Sequence, residues 1–236
     1  MSLFLRTALA EDKSAWSEEL VEKFGEMKGT TFIAIGVIVV LAIILLDIAK
    51  SSKKWTAKTV AYAALSIALS FVLSCFRLYR MPTGGSVTPG SMLPLMVFSA
   101  AFGVGPGMAA GLVYGLLQYL QGGWWLNTWQ FILDYLLAFA ALGLAGIAHN
   151  KSDKWLYIGI PVAALGRATC AILAGLMWAA DTLARGKVLK IGSTVYDSSL
   201  LYSMLYNGAY LIPDTIICLL LALLIAKPVM KVLKAK

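Results

Sequence analysis

Three charged side chains stand among apolar neighbours: Asp134, Arg167 and Asp214 each interrupt a run of aliphatic and aromatic residues. A charge in such surroundings costs several kcal/mol unless it is paired or used, so each calls for a partner or a task. Counting along the helices proposed below, Arg167 and Asp214 both fall roughly 20 Å beneath one helix end, at 1.5 Å per residue. That common level suits a structural ion pair, with a transport role as the alternative. Asp134 lies shallower, at roughly 12 Å by the same count. Gln130 precedes it by one turn, Asn207 shares its level, and Ser203 precedes Asn207 by one turn. Tyr202 and Trp178 lie above them, and Gly85 and Ser86 stand in a glycine-rich stretch that can approach the same region. A carboxylate with amide and hydroxyl groups beneath aromatic rings suits a small, flat, cationic ligand: the acid supplies countercharge and the rings offer π-faces. Aromatic residues marking a membrane interface are the plainer alternative.

The elements that would position these groups follow from composition. Of 236 residues, 60% are hydrophobic and 14% charged, with a mean hydropathy of +0.80. A soluble globular enzyme is excluded; the unit is the bilayer-spanning segment of about 20 apolar residues. The fold class is an all-α polytopic membrane protein. Residues 1–29 form a polar, amphipathic N-terminal segment, and 30–50 an extra transmembrane helix. Residues 57–230 form a six-helix substrate-binding membrane domain, with spans expected at 59–76, 90–104, 107–121, 127–148, 155–180 and 199–226. Residues 231–236 are a basic tail. Gly107, Gly111 and Gly115 repeat every fourth residue, a pattern that lets two helices approach closely. Arg77 to Pro89, with two prolines and paired glycines, is an irregular loop.

The positive-inside rule places the lysine-rich 50–58 linker, Lys151 with Lys154, and the C-terminus in the cytoplasm. The 77–89 loop, the Trp124-Trp125 turn and the 181–198 connection then face outward together, on a multi-pass protein of the cell membrane. The net charge of +8 reads as topology and lipid contact, with no nucleic-acid partner. Cys75, Cys170 and Cys218 have no CxxC spacing, and the lone His149 excludes a multi-histidine metal site, so neither metal nor cofactor is expected. Enzyme chemistry finds no purchase: HExxH is missing, and Asp134 and Asp214 differ by roughly 10 Å in depth, too far for a shared-proton dyad. GxxxxGK[ST] is also missing, so ATP must be used by partners if at all. A proton-coupled secondary transporter relying on Asp134, Arg167 and Asp214 stays open.

Three blocks carry a resemblance: MPTGGSVTPGSMLPLMVFS at Met81–Ser99, ILDYLLAFAALGLAG at Ile132–Gly146 and YSMLYNGAYLIP at Tyr202–Pro213. In order and spacing they resemble the thiamine-specific S components of energy-coupling factor (ECF) transporters, the ThiT (YuaJ) family, over about residues 57–230. The resemblance implies a six-helix protein that captures thiamine from outside and joins a transmembrane coupling protein and two ATPase subunits. It places the family's acidic residue on Asp134, its neighbouring tyrosine on Tyr135, a tyrosine and an asparagine on Tyr202 and Asn207, and an outer aromatic on Trp124. Small residues mediate partner contacts in such transporters; here Ala61, Ala64 and Ala68 form a stripe, with internal packing as the other reading. Two positions depart from the pattern. Ala171 stands where the family has a histidine, and Ala179 where it has a stacking tryptophan, with Trp178 one position earlier. The departures admit a thiamine relative, such as its pyrimidine precursor, as the ligand.

Overall fold

Apolar runs broken by glycine, proline and lysine set the helix ends. The structure, a computed structural model, describes residues 55–234. The segments expected at 1–29 and 30–50 lie outside the described residues, as do 235 and 236 of the tail. Six helical segments follow in order: α1 (Ala57–Cys75), α2 (Leu93–Phe102), α3 (Val104–Leu120), α4 (Thr128–Ala148), α5 (Leu156–Ala184) and α6 (Ser199–Lys234). α1, α4, α5 and α6 are long and apolar enough to cross a membrane. Each expected core span thus has its helix. α6 runs eight residues past the expected end at Ala226, because Ala226, Met230 and Leu233 continue its core-facing spacing through the lysines.

α2 is buried at every position from Leu95 to Ala101, as an all-round apolar helix must be. It packs against α1, α3, α4, α5 and α6. A single residue, Gly103 at φ +103°, joins it to α3, a conformation that side chains disfavour.

α4 is not uniform. Asn127 caps it by accepting from Gln130 N at 2.9 Å. One α-turn then gives way to a π-helical segment, Ile132–Leu137, and after Ala138–Ala140 the helix tightens to 3₁₀ over Ala141–Ala148. The glycine face of α3 packs on this irregular helix. A methyl at Gly111 would overlap the Phe139 carbonyl, and one at Gly115 the Tyr135 carbonyl. Gly107 faces Ser99 and Gly143. The four-residue glycine repeat therefore does what its spacing predicts, and it sets the π-segment that carries Asp134 and Tyr135 directly against α3.

Two small hairpins complete the fold. Within the expected irregular loop, β1 (Tyr79–Arg80) pairs antiparallel with β2 (Ser86–Val87). In the 181–198 connection, β3 (Leu189–Ile191) pairs with β4 (Thr194–Tyr196) through Gly192-Ser193, with Gly192 at φ +61°.

The expected Arg167–Asp214 ion pair is not made at contact distance. Asp214, 1% exposed, accepts instead from Thr88 N at 2.9 Å and Thr88 Oγ1 at 2.8 Å. Ser91 Oγ lies 2.8 Å from the same threonine hydroxyl. The Arg167 guanidinium sits over the Phe139 ring, 4.5 Å from its centroid. Equal depth along two helices does not fix their rotation, and the chain leaving β2 reaches Asp214 first.

Two outcomes test this packing. Gly111→Val should lower stability by about 1–3 kcal/mol through overpacking, whereas Gly208→Ala, with its nearest atom 3.6 Å away, should leave thermal unfolding in detergent unchanged. In a double-mutant cycle, Asp214→Ala and Thr88→Val should couple by about 0.5–3 kcal/mol. Additive melting shifts for that pair would show that the carboxylate is anchored elsewhere.

Candidate functional site

At one end of the bundle the β1–β2 hairpin, the α3–α4 turn, the C-terminal part of α5 and the N-terminal part of α6 line a cavity of about 530 Å³, within the size range of small-molecule sites. Its walls are built from α4 on one side and α5 and α6 on the other.

On α4, Asp134 and Tyr135 occupy the π-segment, a helix distortion found disproportionately at functional sites. Asp134 Oδ2 accepts from Gln130 Nε2 at 3.2 Å, and Gln130 Oε1 accepts from Leu126 N at 3.0 Å. The glutamine thus holds the carboxylate in position, and this is the acid's one hydrogen bond among the described residues. Tyr135 Oη accepts from Trp124 N at 3.1 Å and donates to Trp124 O at 3.2 Å, which ties the turn to the helix.

On α6, Tyr202, Tyr206 and Tyr210 recur every fourth residue, with Ser203 and Asn207 beside them. Tyr202 and Tyr206 stack with centroids 5.5 Å apart, and Trp178 from α5 extends the wall at 5.8 Å from Tyr202. Ser203 Oγ donates to Ile172 O at 2.7 Å. Asn207 Nδ2 donates to Ser203 O and Ala171 O at 2.9 and 3.2 Å, and its Oδ1 accepts from Tyr210 Oη at 2.9 Å. The amide donors are therefore spent on Ser203 of α6 and Ala171 of α5, while the carbonyl oxygen keeps a second lone pair. Gly175 makes this join possible: a side chain there would collide with Ser203 and Asn207.

The hairpin closes over these walls. Tyr206 Oη accepts from Thr83 N at 2.8 Å and donates to Gly84 O at 3.0 Å. Gly85, at φ +85°, packs flat against the Tyr210 ring where no Cβ would fit. Ser86 follows at the cavity edge.

All ten residues singled out from the sequence as ligand contacts line this cavity: Asp134, Tyr135, Gln130 and Trp124 on one side, Trp178, Tyr202, Ser203 and Asn207 on the other, and Gly85 and Ser86 from the hairpin. Ala171 also lines it, whereas Ala179 is fully buried outside it, so Trp178 presents the aromatic face on α5. Ala61, Ala64 and Ala68 are exposed on α1 among the described residues. Sequence reasoning missed Tyr206 and Tyr210, although their spacing from Tyr202 was visible. It also missed Arg77, Arg80, Gln118 and Phe139, which join the lining through the hairpin and the irregular α4.

Known proteins match this chain along most of its described length. Residues 60–234 match the family described as thiamine transporter protein (Thia_YuaJ). The thiamine transporter ThiT of Bacillus subtilis (strain 168) is 30% identical over 179 residues, covering 73% of this chain and 90% of that protein. Its namesake in Lacticaseibacillus paracasei is 28% identical over 136 residues, or 53% of this chain and 66% of that one. The solved structure of ThiT from Listeria monocytogenes superposes with a TM-score of 0.60 at 21% identity, over 74% of this chain and 96% of that one, and so shares the fold. With its six-helix order and its match from α1 to the end of α6, this multi-pass membrane chain belongs to the thiamine transporter (Thia_YuaJ) family, a family of transporters and not of enzymes.

Proposed function

We propose that this chain is the substrate-capture (S component) subunit of an ATP-driven ECF importer and binds thiamine in the cavity between α4, α5 and α6. The observation that carries the reading is the pairing of Asp134 with an aromatic wall across one cavity. Thiamine joins a permanently cationic thiazolium to a neutral pyrimidine. The carboxylate, oriented by Gln130, supplies the countercharge, and Trp178 with Tyr202 offers faces to the rings. The Asn207 carbonyl accepts from the pyrimidine amine. The loops at this end carry five basic residues (Arg77, Arg80, Arg185, Lys187 and Lys190), against ten in the 50–58 linker, at Lys151 and Lys154, and in the C-terminal lysines from Lys227 onward, an imbalance that supports an outward-facing pocket and a cytoplasmic C-terminus.

Partners follow from what the chain lacks and what it exposes. It carries no phosphate-cradling loop, so ATP hydrolysis belongs to two ATPase subunits, coupled through a transmembrane protein. The exposed Ala61, Ala64 and Ala68 on α1 give a shallow face on which a partner helix can pack closely.

Thiamine titration of the purified protein, followed by tryptophan fluorescence or calorimetry, tests the ligand. Asp134→Ala should weaken binding at least about a hundred-fold, since truncating one partner of a buried charge pair costs about 2–5 kcal/mol. Trp178→Ala should weaken it roughly ten-fold. Thiamine should outcompete its isolated pyrimidine half by well over ten-fold; equal competition would reassign the ligand to the precursor. The coupling face has its own test. Ala64→Trp should abolish co-purification with the coupling protein and ATPases while thiamine affinity stays unchanged, and intact complexes would move the interface off α1.

A further inference from the structure

A second cavity lies between other helices. α1 and α6 both pack on α2, and the space left between them is an apolar groove of about 430 Å³. α2 forms its floor, where Leu93 and Val97 are buried. Its walls are α1 from Tyr62 to Leu73 and α6 at Val229 and Val232, with Leu69 and Val232 exposed. Ala61, Ala64 and Ala68 lie off this lining, so the groove is distinct from the alanine face of α1. From Tyr62 to Leu73 it runs about 16 Å at 1.5 Å per residue, the depth of one leaflet in a hydrocarbon core about 30 Å thick. Spread over that length, its volume leaves a cross-section of about 27 Å². A helix about 10 Å across needs roughly 80 Å², so the groove is too narrow to seat one. An extended acyl chain fits.

One end of the groove is basic. It is the end remote from the cavity that Arg77 and Tyr202 line. There the Lys58 Nζ lies 6.0 Å from the centroid of the Tyr62 ring. Phe102, with its centroid 5.8 Å away, holds that ring at the mouth. The sequence enters α1 through Lys50, Lys53, Lys54 and Lys58 and leaves α6 through Lys227, Lys231 and Lys234. We propose that the groove is a binding site for an anionic phospholipid, with one acyl chain between α1 and α6 and the phosphate at Lys58. Inside a bilayer, burial from water does not drive such binding; packing along the groove holds the chain, and the lysine charge selects the headgroup. The inference needs the membrane-spanning fold and not the thiamine reading, so the two can fail separately.

The test uses the full chain in detergent, stripped of lipid. Dioleoyl phosphatidylglycerol and dioleoyl phosphatidylcholine are offered together, and bound lipid is counted by native mass spectrometry. The wild type should hold one phosphatidylglycerol per chain, preferred at least about five-fold, and the preference should fall as salt rises. Lys58→Gln should lower the preference about five-fold. Leu69→Trp, which fills the groove from α1, should weaken binding of both lipids at least about ten-fold. Leu224→Trp, at a position 75% exposed and off the lining, should change neither. Thermal unfolding reports whether each variant folds, and Val229→Trp fills the groove from α6 if Leu69→Trp does not. Equal affinity of the wild type for the two lipids overturns the proposal, as does unchanged binding in a folded groove-filling variant. A wild-type dimer that Leu69→Trp dissociates would give the groove to a second copy. Loss of the coupling protein from Leu69→Trp, with lipid binding unchanged, would give it to that partner. Either result overturns the lipid assignment.

Discussion

A carboxylate inside an apolar bundle must be solvated by the protein itself, and the placement of Asp134 shows how much of the fold serves that need. Among the described residues no basic group makes an ion pair with the acid at contact distance. Gln130 orients it instead, and Gln130 is in turn fixed by the backbone at Leu126 and by the Asn127 cap. This short chain of hydrogen bonds works only if the α4 backbone is held still. The glycine face of α3 supplies that restraint by bringing its own backbone against the carbonyls of Tyr135 and Phe139. Larger residues on α3 would push α4 away and take the carboxylate with it.

The opposite wall is organised by a different means. α6 presents Tyr202, Tyr206, Tyr210, Asp214 and Cys218 along one face at four-residue spacing, all of them buried. The first three build the cavity, and two of the five also fasten the hairpin: Tyr206 grips its turn and Asp214 grips its exit at Thr88. Asp214 thus meets the cost of its burial through backbone and hydroxyl donors, which satisfy an acid without a second buried charge. One helix face therefore serves as both wall and anchor.

Helix positions and the one-turn neighbours along each helix were legible because they depend on local spacing alone. Gln130 with Asp134, and Ser203 with Asn207, are one-turn neighbours on paper and hydrogen-bond in the structure. The Asp214 contact was not legible in this way. Its partner lies 126 residues away, and a depth count carries no information on how a helix is rotated. The π-segment in α4 was also hidden, since no residue type or spacing in Ile132–Leu137 marks it. The β3–β4 hairpin was readable in principle: Gly192-Ser193 between Leu189–Ile191 and Thr194–Tyr196 is a two-residue turn signal.

The polar groups of the cavity also divide by what they are free to do. Ser203 and the Asn207 amide are committed to carbonyls of α5, so their first role is to hold α5 and α6 at a fixed separation. Tyr206 is committed to the hairpin at both its donor and its acceptor. Asp134, with one hydrogen bond, and the Asn207 carbonyl, with one, retain capacity. They belong to α4 and α6, on opposite sides of the cavity. A ligand that satisfies both must therefore span the space between the helices, with a cationic or donating group at each end. A flat molecule of two linked rings, as proposed above, would meet that demand, and Trp178, Tyr202 and Tyr206 on the α5–α6 wall would offer it aromatic faces.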